Sequence, residues 1–266
     1  MTEQYFSFRE QQFSYAIHGQ GAALVLLHGY TESKDIWDGF AEKLGERYMV
    51  VMPDLPGHGS SSLLTPLSTE LMAEMIDELV KQLGIMQFTM IGHSMGGYAT
   101  VCYAELFGHK LNGFGLFHSN ARADKTEVKN NRYRVIKMIE ADHGSFISGF
   151  IPDLFSEGNR GALSAEIEIL KNRASAISKE ALIESQKAMA ERSGSIELLA
   201  ETNLPVLFII GKQDSRIDFN QVYAQTILPK RSFVLLLENC GHMGYLEAPE
   251  DSLAAIEGFL LACNKK

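Results

Sequence analysis

Serine, aspartate and histidine, each just past an apolar run, are the residues here whose spacing could do chemistry. Ser94 stands in Ile91-Gly92-His93-Ser94-Met95-Gly96-Gly97. The apolar run Phe88 to Ile91 leads in, and a small-residue helical pattern, Gly96 to Leu106, leads out. A serine at the apex of strand, sharp turn and helix needs glycine on either side. Its backbone is strained, and a Cβ two residues away would strike the neighbouring strand or helix. Such a turn lifts the hydroxyl above the sheet edge. It also aims the Met95 N–H, at a helix N-terminus, towards the place where an oxyanion would form. A serine at neutral pH is a poor nucleophile, so it needs a base, and the base needs an orienting group. Asp214 lies four residues past the apolar run Pro205 to Ile210, and His242 lies four past Ser232 to Glu238. Asp218, four residues further on, competes with Asp214 as the acid. Together these are the parts of nucleophilic acyl transfer.

Positioning them takes a sheet. Tyr5 to Arg9 and Gln12 to His18 alternate apolar and polar residues, which predicts an antiparallel hairpin at an edge. Ala22 to Leu27, Tyr48 to Met52 and Asn112 to His118 are apolar runs of the kind buried on both faces. Helical periodicity predicts helices over Asp35 to Leu44, from Leu71 to Leu83, and over Phe219 to Ile227 and Pro249 to Cys263, with Ser68 or Thr69 as a cap of the second. Repeated strand–helix alternation implies an α/β fold: a mostly parallel sheet of roughly eight strands with helices on both faces. Ligands in such sheets bind at the carboxyl ends of the strands. Residues 119–202 break the alternation. They hold helical patterns, Glu127 to Ala141, Ala162 to Ala176 and Lys179 to Arg192, and no buried-strand run. This predicts a helical lid, 119–202, inserted in a core made of 1–118 and 203–266.

A chain of 266 residues with 45% hydrophobic and 21% charged content is ordinary for a globular protein. A net charge of -9 argues against nucleic acid and anionic membranes as partners. Cys102, Cys240 and Cys263 are odd in number and lack metal-ligand spacing, so free thiols in a reducing, cytoplasmic setting are expected, without metal or cofactor. The first nine residues lack the pattern of a signal peptide.

The chain resembles the α/β-hydrolase fold superfamily, in its small, lid-bearing serine hydrolase form. The resemblance rests on His28-Gly29, the loop Asp54-Leu55-Pro56-Gly57-His58-Gly59-Ser60-Ser61, Gly92-His93-Ser94-Met95-Gly96-Gly97, Gly211-Lys212-Gln213-Asp214 and Gly241-His242. The order Ser…Asp…His is the one that fold uses. It implies Ser94 as nucleophile, His242 as base, Asp214 as its orienting acid, and an oxyanion hole from the Met95 and Tyr30 N–H groups. It implies hydrolysis of carboxylic esters of small or medium acyl groups. Carbon–carbon hydrolysis of β-diketone-like compounds, thioester or lactone cleavage, cofactor-free lyase chemistry and a small-molecule receptor that keeps the triad are alternatives within the same resemblance. Among other residues, His28 is expected to brace its loop and His58 to cap its own. His118, Phe146 and Phe150 are candidate substrate contacts, with Tyr98, Asn120 and Arg122 further ones.

Overall fold

The structure, a computed structural model, describes residues 3–263. The apolar runs become strands that exchange backbone hydrogen bonds with sheet neighbours, on both sides for all but the edge strands. Among the described residues they are β1 (Gln4–Phe8), β2 (Gln11–His18), β3 (Ala22–Leu27), β4 (Tyr48–Pro53), β5 (Phe88–His93), β6 (Leu111–Phe117), β7 (Val206–Gly211) and β8 (Ser232–Leu237). They form one sheet in the order β1-β2-β4-β3-β5-β6-β7-β8. The opening hairpin pairs antiparallel, Phe6 opposite Phe13, and β2 joins β4 antiparallel. From β4 to β8 all pairs are parallel. Of the runs read as doubly covered, β3 is buried from Leu24 to Leu27, β4 but for Met49 and β6 but for Asn112, and every residue of β5 and of β7 is buried too.

The helices follow the periodicity. They are α1 (Asp38–Leu44), α2 (Thr69–Gln82), α3 (Met95–Phe107), α4 (Thr126–Ala141), α5 (His143–Phe150), α6 (Ser164–Ser175), α7 (Lys179–Glu191), α8 (Ile196–Glu201), α9 (Phe219–Tyr223), α10 (Gly244–Glu247) and α11 (Pro249–Cys263). The crossover from β3 to β4 and that from β5 to β6 step in opposite directions across the sheet. Right-handed connections therefore put α1 and α3 on opposite faces. The chain reverses its strand order at β3, and loops leaving β3 and β5 flank a crevice there. Between β6 and β7 the described elements are helical, α4 to α8 with short 3₁₀ turns, and α4 packs on α7.

Three boundaries differ from the periodicity. Lys34 to Trp37 form a 3₁₀ turn ahead of α1, because the Lys34 N–H is drawn to Asp54 Oδ1 at 2.7 Å. The helix over Phe219 stops at Tyr223 and leaves Ile227 83% exposed. The segment from His143 to Phe150 is a helix of its own, started by Asp142, whose side chain accepts the Ser145 N–H. Ser68 caps α2 by accepting from the Leu71 N–H. No helix among the described residues is long and apolar enough to cross a membrane.

Candidate active site

Ser94 sits between β5 and α3 with φ 51° and ψ -115°, a conformation L-residues rarely hold. The strain persists because the surroundings allow nothing else. A Cβ on Gly92 would lie 2.2 Å from the Gly96 carbonyl oxygen, and one on Gly96 would lie 2.5 Å from that of His28. Ser94 is pinned from β6 as well: its N–H donates to the Phe117 carbonyl, and its carbonyl accepts from Ser119 Oγ at 2.8 Å.

His242 follows β8 and reaches Ser94: Nε2 lies 2.9 Å from the serine Oγ. Its Nδ1 lies 2.8 Å from Asp214 Oδ2, on the loop after β7. His242 is held by its backbone. Its N–H donates to the Leu154 carbonyl at 2.7 Å, and Glu247 Oε1 accepts the N–H groups of Gly241 and Met243. Asp214 is buried and fully bonded. Oδ1 takes the N–H groups of Arg216 and Ile217, at 2.8 and 3.0 Å, and Oδ2 takes His242 and also His118, at 3.2 Å. Burial alone would raise the Asp214 pKa. The two imidazoles and the hydrogen bonds overcome it and hold the carboxyl far below the usual carboxylate range.

His118 was expected to touch substrate, but the structure places it behind Asp214, fully buried. Its Nε2 accepts the Gly244 N–H at 3.2 Å, so Nδ1 carries the proton and donates it to Asp214. Burial, against the pull of Asp214, pushes its pKa down to about 4. Phe146 is likewise displaced from the expected role. It is buried behind Phe150, ring centroids 5.0 Å apart, and only Phe150 reaches the cavity. Tyr98 lines the cavity, whereas Asn120 and Arg122 do not. Asp218, the competing acid, caps α9 by accepting the Gln221 N–H at 2.8 Å. His28 braces its loop, Nε2 accepting the Leu55 N–H, and His58 faces the Pro56 carbonyl.

The loop after β3 turns through Thr31 at φ 65°, with Tyr30 beside it. Among the described residues no loop hydrogen bond uses the Tyr30 N–H, and the Met95 N–H, first in α3, has no helical carbonyl to bond. The cavity above Ser94 has about 320 Å³. Its apolar wall includes Val128, Val135, Phe150, Leu154, Met189 and Ile217, mostly from the helices between β6 and β7. Its polar wall includes Tyr30, Tyr98, Asn131, Arg132, Gln186 and Arg216.

Several of these groups carry no sequence signal. Glu32 and His93 form a buried pair, Nδ1 to Oε2 at 2.9 Å, under the loop after β3. His93 stands in the motif around Ser94, but its role there is not marked by it, and Glu32, Glu247 and Arg132 are brought to the site only by the fold. His118, Asp214 and His242 hold possible ligand atoms within 4.8 Å of one another. Both Nδ1 atoms face one Asp214 oxygen, so hydrogen bonding to the carboxylate accounts for the cluster without an ion.

A family model describing the alpha/beta hydrolase fold matches residues 22–134. An uncharacterized protein of Mycobacterium tuberculosis is 33% identical over 107 residues, 40% of this chain and only 31% of that protein's length. The pimeloyl-[acyl-carrier protein] methyl ester esterase of Nitrosomonas europaea is 24% identical over 90% of this chain and 96% of its own. The structure of a thermophilic esterase from Thermogutta terrifontis superimposes with a TM-score of 0.92 at 26% identity, covering 100% of both chains. With its sheet order, that family match and its end-to-end likeness to the two esterases, the chain has the α/β-hydrolase fold.

Proposed function

We propose that the protein is a serine hydrolase that cleaves carboxylic esters of small or medium acyl groups through an acyl-enzyme. The observation that carries this is the relay of 2.9 Å from Ser94 Oγ to His242 and 2.8 Å from His242 to Asp214. The esterase names of the relatives from Nitrosomonas europaea and Thermogutta terrifontis support the same substrate class.

Ser94 Oγ attacks the ester carbonyl carbon and passes its proton to His242 Nε2. The carbonyl oxygen becomes an oxyanion held by the N–H groups of Tyr30 and Met95. Losing one such donor typically costs about 10²–10³ in rate. As the C–O bond breaks, His242 returns the proton to the leaving alcohol. Water, deprotonated by His242, then attacks the acyl-enzyme and releases the acid and free Ser94. Asp214 holds the imidazole with its proton on Nδ1 and stabilises the imidazolium. These steps use no cofactor. A cavity of about 320 Å³ is at the small end for ligand sites and suits short to medium acyl chains. Residues 119–202 serve as the lid, closing that cavity from above the core. Three free cysteines suit a reducing, cytoplasmic compartment.

The test is hydrolysis of p-nitrophenyl esters from acetate to laurate by wild type and Ser94→Ala, with fluorophosphonate labelling of Ser94. Turnover on the order of 1 s⁻¹ or more, lost in the variant, is expected. No labelling and no turnover would overturn the assignment.

A further inference from the structure

One aspartate answers two arginines beside the cavity. Asp124 accepts from Arg132 Nε at Oδ2 and from Arg192 at Oδ1, the latter at 2.7 Å. The Asp124 and Arg192 side chains are 5% and 4% exposed, and Arg132 is 17% exposed. Arg192 is otherwise used up: it donates to the Met189 and Arg122 carbonyls and lies 3.7 Å over the Tyr98 ring. Arg132 is not. Its Nη1 finds Gln186 Oε1 at 3.4 Å and Met189 Sδ at 3.3 Å, long for a guanidinium, with the Tyr98 side chain also beside the group. Buried charges are ordinarily matched, so one positive charge is left in excess, and it faces the cavity that holds Ser94 and His242.

A second group in the same cavity points the same way. Tyr30 is 6% exposed, and its hydroxyl makes no hydrogen bond of good geometry among the described residues, though the Gln186 side chain approaches it. Leaving such a donor unmade is costly, and a ligand oxygen would recover the loss. Arg132 and Gln186 are near enough to act on the ionisation of that phenol, so the three form one polar corner. Of the other charges at the wall, Glu32 is paired with His93, Arg216 lies 3.7 Å from Asp153, and Glu127 is exposed to solvent.

We propose that the preferred substrate is a half-ester of a dicarboxylic acid, its free carboxylate bound by the Arg132 guanidinium and the Tyr30 hydroxyl. This rests on the ester hydrolysis argued above and names its substrate class. A planar guanidinium fork matches a carboxylate in shape as well as charge. The uncharged chain between the two ends would lie along Phe150 and Met189.

The experiment compares kcat/KM for monomethyl half-esters, succinate to suberate, with methyl esters of the uncharged acids of equal carbon number. At the best length wild type should favour the half-ester at least tenfold. In Arg132→Gln that ratio should fall to about one. Tyr30→Phe keeps the backbone N–H and should lower the ratio several-fold. Fluorophosphonate labelling of Ser94 reports whether each variant is folded; where Arg132→Gln is not labelled, Tyr30→Phe decides. Hydrolysis of the neutral esters with no preference for the half-ester, or a ratio unmoved by the variants, would overturn this inference alone. No turnover of either series together with no labelling would overturn the ester reading beneath it as well.

Discussion

His93 Nε2 lies 2.9 Å from the backbone carbonyl of His242, so the residue before Ser94 donates a hydrogen bond to the backbone of His242. Its Nδ1 faces Glu32 Oε2 at 2.9 Å. Both ring nitrogens thus face acceptors and both carry protons, which makes the pair an imidazolium and a carboxylate. Burial opposes both charges, yet Glu32 holds the His93 pKa above its ordinary value and His93 holds that of Glu32 below. Glu32 also accepts the Gly29 N–H at 2.5 Å and the Tyr245 hydroxyl at 3.0 Å. One buried carboxylate therefore ties together the loop of Tyr30, the residue before Ser94 and the backbone of His242.

Removing that carboxylate charge should disturb all three at once. Glu32→Gln leaves a buried imidazolium without its counter-charge, and breaking such a pair costs about 3–5 kcal/mol. Urea unfolding should show a loss of that order. Turnover of a good ester should fall with KM nearly unchanged, because the group positions the machinery without touching substrate. Unaltered stability and kcat would refute the role.

The two acids after β7 should separate cleanly. Asp214→Asn removes the orienting charge and, in this kind of relay, lowers kcat by about 10⁴. Asp218→Asn keeps a side chain that can cap α9, so its kcat should equal that of wild type, and its stability should change by well under 1 kcal/mol. Parallel kinetics and thermal melts on the two variants check both.

Acid should weaken the fold through His118. Its folded pKa of about 4 lies below the ordinary value near 6.5, so the unfolded chain binds the proton more readily. The stability this contributes is fully present above pH 6.5 and is lost as pH falls towards 4. Between pH 7 and 5 that amounts to about 2 kcal/mol. His118→Gln has no such proton to take up, so urea midpoints at the two pH values should differ less than in wild type. An equal drop in both proteins would show that other groups govern the acid limb.

The periodicity locates all eight strands, since a doubly covered strand is mostly apolar, as β7 is throughout and β5 is but for Thr89 and His93. It also brings Ser94, Asp214 and His242 to one edge, because each follows a strand closely. What it misses is set by distance along the chain. His118 ends a strand near the site, and nothing local reveals that its side chain turns behind Asp214, 96 residues on. Phe146 and Phe150 lie one helical turn apart, and only packing decides which of them faces the cavity. Arg132 reads as one more charge on a helix until Asp124 and Arg192 fold against it.

The parallel pairing of β6 with β7 leaves the chain a journey from the edge that bears Ser94 to the opposite edge, and 119–202 make it. Any connection that completes the trip satisfies the sheet, because loop closure grows costlier only slowly with length. Arg132, Phe150, Gln186 and Met189 all come from this stretch, whereas Ser94, Asp214 and His242 come from the core on either side. Much of the cavity wall, Tyr30, Tyr98, Arg216 and Ile217 apart, is thus written in a different portion of the gene from Ser94, Asp214 and His242. A change confined to 119–202 reshapes that wall and leaves those three residues as they are.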